Sequence, residues 1–220
     1  MSTTEFIAHA ITTRTPYEEE FVHMMDDVDS LIDAETNPLH RTILINYRRH
    51  GLLEVSGRYE DLLAPNMTVA HPHYRIFEGG QGVILDGMEA VRAFYRQLEE
   101  LDMLVMWTGK QSMAVHDWGF AGEAEFSQFV PGALLGDNVF DAVANGVGSE
   151  SRYDSGSFYL VRRTLAFMWP YNQDGRMIGE HVYEDTESKV ITKVNDDEVI
   201  TASRAAELLA PIIEKYGVPQ

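Results

Sequence analysis

In the segment APNMTVAHPHYR, Ala64 to Arg75, His71 and His73 stand two residues apart at the end of a β-branched run. Side chains at that spacing share one face of a strand. The pair could clamp a metal, act as an acid/base couple or simply pack. A metal needs a third and a fourth ligand, which His181 and Asp185 could supply. The chain has no cysteine, no His-Glu-x-x-His motif and no spacing of two histidines and a carboxylate, so no metal is expected. The segment GEHVYED carries a second constellation. On a strand His181, Tyr183 and Asp185 alternate onto one face, with Ile178 and Val182 on the other. Such a triplet is either the solvent face of a sheet or the floor of a wet pocket. His181 is the strongest acid/base candidate in it, because imidazole titrates near neutrality. Its replacement by alanine is expected to lower turnover far more than stability. Tyr47, His50 and Glu54 fall on one helical face at i, i+3 and i+7, where Tyr47 could project a phenol inward. Arg163 shares a strand face with Phe167 and Trp169. It could hold an anionic or phenolate oxygen, or pair with a surface carboxylate. With Trp107, Trp118 and Tyr159, those aromatics are either core or the walls of an aromatic pocket. No dinucleotide fingerprint, phosphate loop or nucleophile elbow is present.

The bulk numbers narrow the partners. With 35 acidic and 17 basic residues the formal charge is -18, which disfavours nucleic acid and anionic membrane surfaces. No disulfide framework or thiolate nucleophile exists. No apolar stretch approaches the length of a membrane span and no secretory signal is read at Met1, so a cytoplasmic protein is expected. A 45% hydrophobic chain of 220 residues can bury one sizeable core.

The elements that must position these residues follow from caps and periodicity. Thr15-Pro16-Tyr17-Glu18 starts a helix whose stripe runs Phe21, Met24, Met25, Val28, Leu31, Ile32. A second helix spans about Leu39 to Val55 and stops at Ser56-Gly57. A short turn of helix follows, then a strand over Met67 to Tyr74 in which Pro72 argues for an edge or a bend. The segment EGGQG reads as a loop. Asp86 and Glu89 predict a capping box for a helix to about Asp102, with Met88, Val91, Phe94, Tyr95, Leu98 and Leu101 buried. Leu104 to His116 and Phe120 to Val130 form a long hairpin. Tyr153 to Tyr171 and Arg176 to Asp185 form another through NQDG. A final helix carries Ala205, Leu208, Leu209, Ile212, Ile213 and Tyr216, with Pro211 as a kink. The organisation is an N-terminal extension with an acidic amphipathic helix (1–37), an α+β domain (38–200) and a C-terminal helix (201–220). Residues 131–152, with a short helix at Asn138 to Ala144, form an insertion that could act as a lid.

This order of elements resembles the nuclear transport factor 2-like superfamily, in particular its SnoaL-like branch of polyketide cyclases and small-molecule dehydratases. The resemblance rests on INYRRHGLLEVSGRYEDLLAPNMTVAHPHYR, LDGMEAVRAFY, VHDWGFAGEAEF and GEHVYED, spanning Ile45 to Asp185. It implies an α+β fold, a cone-shaped, strongly bent antiparallel sheet packed against N-terminal helices, around a deep pocket. It implies acid/base chemistry without a metal or organic cofactor, and assembly as a homodimer or higher homo-oligomer. The texture is also similar to the diarylpropane lyases that release formaldehyde in aromatic compound catabolism. On this basis the expected function is a cofactor-independent lyase on an aromatic small molecule. His73, His181, Tyr47, His71, Tyr183 and Asp185 are the candidate catalytic residues. Trp107, Trp118, Tyr159, Arg163, Phe167 and Trp169 are the candidate substrate contacts. A cyclase, isomerase or epoxide hydrolase is the alternative within enzymes. An Asp-Arg-Asp group would favour the hydrolase, and the sequence does not assemble one. The alternative from another class is a non-catalytic binding or dimerisation module.

Overall fold

The computed structural model describes residues 14–79, 81–135 and 153–219. Helix α1 (Pro16–Val22) begins as its caps predict: the Glu18 N–H donates to the Thr15 hydroxyl and the Thr15 N–H to the Glu18 carboxylate. The apolar stripe is split, however. Residues 23–25 turn, and α2 (Asp26–Ala34) restarts the helix. The break frees the Met24 carbonyl, which accepts from Thr108 and Gln111 on the sheet. Phe21, Met24, Met25, Val28 and Ile32 are buried as expected, whereas Leu31 is exposed.

Helix α3 (Pro38–Val55) is held at its start by the Asn37 side chain, which accepts from Leu39 and His40 N–H groups. Past its end Gly57 adopts φ 74, a left-handed stop that suits glycine. This helix is enclosed nearly all round, and even Asn46 and His50 have no exposed surface. A short α4 (Tyr59–Leu62) follows.

The expected strand at Met67–Tyr74 lies later. Residues 67–72 are turns and a single bridge, and β1 is His73–Glu78. His71 therefore precedes the strand and does not share its pleat with His73. The glycine-rich stretch is not an open loop but the tight turn of a hairpin, with β2 (Gln81–Asp86) pairing back from Glu78↔Gln81 to His73↔Asp86. Helix α5 (Met88–Glu100) starts at Gly87 without a side-chain cap, because the Asp86 carboxylate is turned to His71 and His73 instead. Its face Val91, Phe94, Tyr95, Leu98 is buried.

Strands β3 (Met106–His116), β4 (Gly119–Pro131), β5 (Phe158–Pro170) and β6 (His181–Lys193) carry most of the sheet, in the order β2-β1-β6-β5-β4-β3. Every pairing is antiparallel except β1 with β6, so the sheet is mixed and not wholly antiparallel as expected. Its curvature shows in the packing: inward residues of β1, β3, β4, β5 and β6 line one cavity together with residues of α3. Irregularities between Thr108 and Gln111 and between Arg162 and Thr164 bend the long strands.

The turn NQDG closes as an Asn-headed turn, Asn172 Oδ1 accepting from the N–H groups of Asp174 and Arg176. Residues 178–180 then run beside the start of β1, with His73 N–H donating to Ile178 and Arg75 N–H to Glu180. Helix α6 (Ala202–Ile213), containing Pro211, packs on α3, and Arg48 donates to the carbonyls of Ile212 and Ile213 at its C-terminus. This last helix meets α1 where Arg204 pairs with Glu18 at 2.6 Å. Residues 136–152, including the expected helix Asn138–Ala144, lie outside the described residues. Among the described residues no helix is long and apolar enough to cross a membrane.

Candidate active site

The cavity holds about 100 Å³ and is walled by Trp107, Phe126, Phe167, Trp169, Phe94, Ile76, Val182 and Leu165. Two polar groups interrupt this lining. The first is built by α3, α5 and the approach to β6. His50 and Glu54 lie one helical turn apart, and Glu180 faces them. His50 Nε2 is 3.1 Å from Glu180 Oε1 and 3.5 Å from Glu54 Oε2. Tyr95 donates its hydroxyl to the same Glu180 oxygen at 2.7 Å, and Tyr74 lies 3.3 Å beyond it. The Trp169 ring stands edge-on to His50 with 4.7 Å between centroids.

The electrostatics of this group follow from burial and proximity. Burial alone would lower the His50 pKa, but the adjoining Glu180 and Glu54 carboxylates outweigh it and raise it to about 9. His50 is thus an imidazolium at neutral pH. Burial pushes the Glu54 carboxyl up, the Glu180 charge pushes it further, and His50 opposes both. Burial and Glu180 likewise keep Tyr95 a neutral phenol. The result is a cation shared by two carboxyls, of which Glu54 holds its proton more tightly than an ordinary glutamate.

The second group lies where β1, β4 and β5 converge. Arg163 donates to Glu78 through Nη2 at 2.7 Å and Nε at 3.2 Å, and to Gln128 through Nη2 at 3.1 Å. Glu184 stands 3.8 Å from Arg163 Nε and pairs with Lys189 at 2.9 Å. Burial raises the Glu78 pKa even against the neighbouring guanidinium. Arg163 Nη1 has no hydrogen-bond partner, and neither does Trp169 Nε1.

The sequence candidates divide between the two faces of the sheet. Tyr47, Trp107, Arg163, Phe167 and Trp169 line the cavity. Tyr47 donates to Gln111 at 2.7 Å, and burial raises its pKa, so it serves as a wall and a fixed donor. His181, Tyr183 and Asp185 alternate with the inward Val182 and with Glu184, and so lie on the other face. Tyr183 stacks there on Phe77 with 5.4 Å between rings. His71 and His73 share the exposed Asp86 carboxylate at 3.0 and 3.2 Å. Trp118 is exposed at the β3–β4 turn, and the Tyr159 hydroxyl accepts from Asp154 N–H away from the cavity. Among the described residues no group of three histidines or acids could hold a metal ion. Glu180, Glu78, Tyr95 and Gln128 belong to no motif or spacing in the sequence that marks them as site residues. His50 and Glu54 were legible only as neighbours of Tyr47 on one helical face.

No protein-family model and no curated protein matches this chain. Solved structures do resemble it. One is SalBIII, described as an epoxide hydrolase/cyclase-like enzyme of pyran ring formation in the polyether salinomycin. It is 10% identical with a TM-score of 0.42, over 66% of this chain and 91% of its own. Another is a protein from Jannaschia sp. CCS1 described as a SnoaL-like polyketide cyclase. It is 16% identical with a TM-score of 0.46, over 69% of this chain and 90% of its own. A third, from Novosphingobium aromaticivorans, is a nuclear transport factor 2-like protein with a cystatin-like fold. It is 14% identical with a TM-score of 0.37, over 76% of this chain and 87% of its own. At these levels the likeness carries no argument about reaction, which rests on the cavity alone.

Proposed function

We propose that the chain is an enzyme that performs acid/base chemistry on a small aromatic molecule, acting as a lyase that eliminates water or formaldehyde from an aryl alcohol. The observation that carries this reading is one buried imidazole shared by Glu54 and Glu180 beside a cavity walled mainly by aromatic and aliphatic side chains. Glu54, whose carboxyl burial pushes up, supplies a proton to a departing benzylic hydroxyl, which leaves as water. The Glu180 carboxylate takes a proton from the neighbouring carbon, and the alkene forms. His50 Nε2–H faces both carboxyls, so the imidazolium can hand its proton to the spent Glu54 and then be reprotonated from Glu180. On a para-phenolic diol, departure of water together with loss of the phenolic proton to solvent leaves a quinone methide. The base then takes the proton of the terminal hydroxyl, the carbon–carbon bond breaks, and formaldehyde leaves as the ring regains its electrons. At about 100 Å³ the cavity is smaller than the roughly 150 Å³ that accommodates benzene, so one ring enters only as flexible walls such as Met24, Met25 and Met106 give way. A diarylpropane would therefore seat one ring inside and its second at the mouth.

A second reading draws on a different observation. Arg163 between Glu78 and Glu184 is a carboxylate–guanidinium–carboxylate group of the type that favours epoxide opening. There a carboxylate would activate water and a carboxylic acid would protonate the epoxide oxygen. Incubation with a panel of phenolic diols and aryl epoxides separates the two. Formaldehyde with a new conjugated absorbance supports the lyase, and vicinal diol from the epoxides supports the hydrolase. If neither set turns over, the enzymatic reading fails.

A further inference from the structure

We propose that Arg163 is a specificity-determining residue that anchors an anionic oxygen, a phenolate or a carboxylate, on the ring end of the substrate. The inference rests on the reading of the cavity as an active site and names its substrate class. Arg163 is 3% exposed, lines the cavity, and is fixed in plane by Glu78, Gln128 and the Phe126 ring 5.4 Å from its Cζ. A guanidinium carries five N–H donors, and buried donors are almost always satisfied. Here Nη1 has no acceptor. A ligand oxygen would complete that set, and the planar fork suits a carboxylate or phenolate.

The position of the anchor fits a substrate with two oxygen-bearing ends. Glu180 marks the strand level of the His50 group, and Glu184 marks that of Arg163. Four residues separate them, about 13 Å at ~3.3 Å per residue. Between them the lining is Ile76, Val182, Leu165 and Phe167, an apolar slot for a ring. Charge balance is also served locally. Glu78, whose carboxyl burial pushes up, can take a proton as the anion arrives, so the charge at Arg163 stays compensated.

The test is equilibrium binding near neutral pH, read from the fluorescence of the cavity tryptophans. The ligands form two matched pairs. One is para-(hydroxymethyl)benzoate and its methyl ester, and the other is para-hydroxybenzyl alcohol and its methyl ether. The wild-type protein should prefer the acid member of at least one pair roughly tenfold or more, and the pair that shows it identifies the oxygen as carboxylate or phenol. Arg163→Lys keeps the charge opposite Glu78 but lacks Nη1, and should shrink that preference to about twofold while still binding the neutral member. A wild-type protein that binds acid and neutral members alike overturns the proposal. So does a preference unchanged in Arg163→Lys, or no binding of any of the four. Because binding and turnover are read separately, an Arg163-dependent preference without turnover would sink the lyase reading and leave the anchor. Turnover without preference would do the reverse.

Discussion

Alkaline pH should unload the buried cation and weaken the fold over a defined window. His50 is fully buried, and its pKa rises from 6.5 unfolded to about 9 folded. A group raised in this way stabilises the folded state fully below pH 6.5, and the contribution is lost as pH climbs through about 9. The difference corresponds to about 3 kcal/mol. For a chain of this length that is a fall of roughly 6–12 °C in Tm. His181, lowered by burial and by the charges of Arg75 and His73, acts in the opposite direction and below about pH 6.5, outside the window. Glu54, raised mainly by burial, adds a loss of the same sign that begins nearer the ordinary glutamate range. The clean reference is the isosteric neutral variant His50→Gln/Glu54→Gln/Glu180→Gln, in which the whole group ceases to titrate. Urea unfolding of both proteins at intervals from pH 6 to 10 gives two stability curves. Their difference should decline by about 3 kcal/mol between pH 6.5 and 9.5. A difference that stays flat, or grows with pH, would refute the imidazolium between two carboxyls.

Other expectations concern single positions. Tyr95→Phe removes the hydroxyl that donates to Glu180 and should destabilise by about 1–3 kcal/mol in denaturant unfolding, with the pH dependence of turnover displaced from the wild type's. At Gly179 any Cβ would overlap the His73 backbone carbonyl. Gly179→Ala should therefore destabilise by at least roughly 1–3 kcal/mol, and an unchanged denaturation midpoint would contradict the packing of β1 against residues 178–180. The double variant His71→Ala/His73→Ala removes only exposed partners of Asp86 and should leave stability within about 0.5 kcal/mol and turnover unchanged.

What the sequence made legible was local. Thr15 with Glu18, Asn37, and the stripe Val91–Phe94–Tyr95–Leu98 announce their helices because caps and apolar spacing act over a few residues. The β3–β4 hairpin was equally plain around Asp117-Trp118-Gly119. The β1–β2 hairpin was not, because its glycine-rich turn and short strands read as a loop. The site was harder for a specific reason. Alternation sorts β6 into two sets without saying which is inward, and both sets are polar: His181, Tyr183, Asp185 on one, Glu180 and Glu184 on the other. The usual guide, that charges face water, points the wrong way when a cavity wall needs carboxyls. The register is set instead by contacts far apart in sequence. Ile178 N–H donates to Pro170, and Gly179 lies flat against His73. Tyr47 lines the cavity because α3 is enclosed nearly all round, so that almost any face of it meets the interior.

The central claim is tested most directly by comparing turnover in Glu54→Gln and His181→Ala on any aryl alcohol the wild-type protein converts. Glu54→Gln should lose about 10²–10⁴ in kcat, the share of one general acid, while its Tm stays within a few degrees of the wild type's. His181→Ala should turn over as the wild type does. The opposite pattern, with His181 required and Glu54 dispensable, would move the chemistry to the outer face of the sheet and contradict the account.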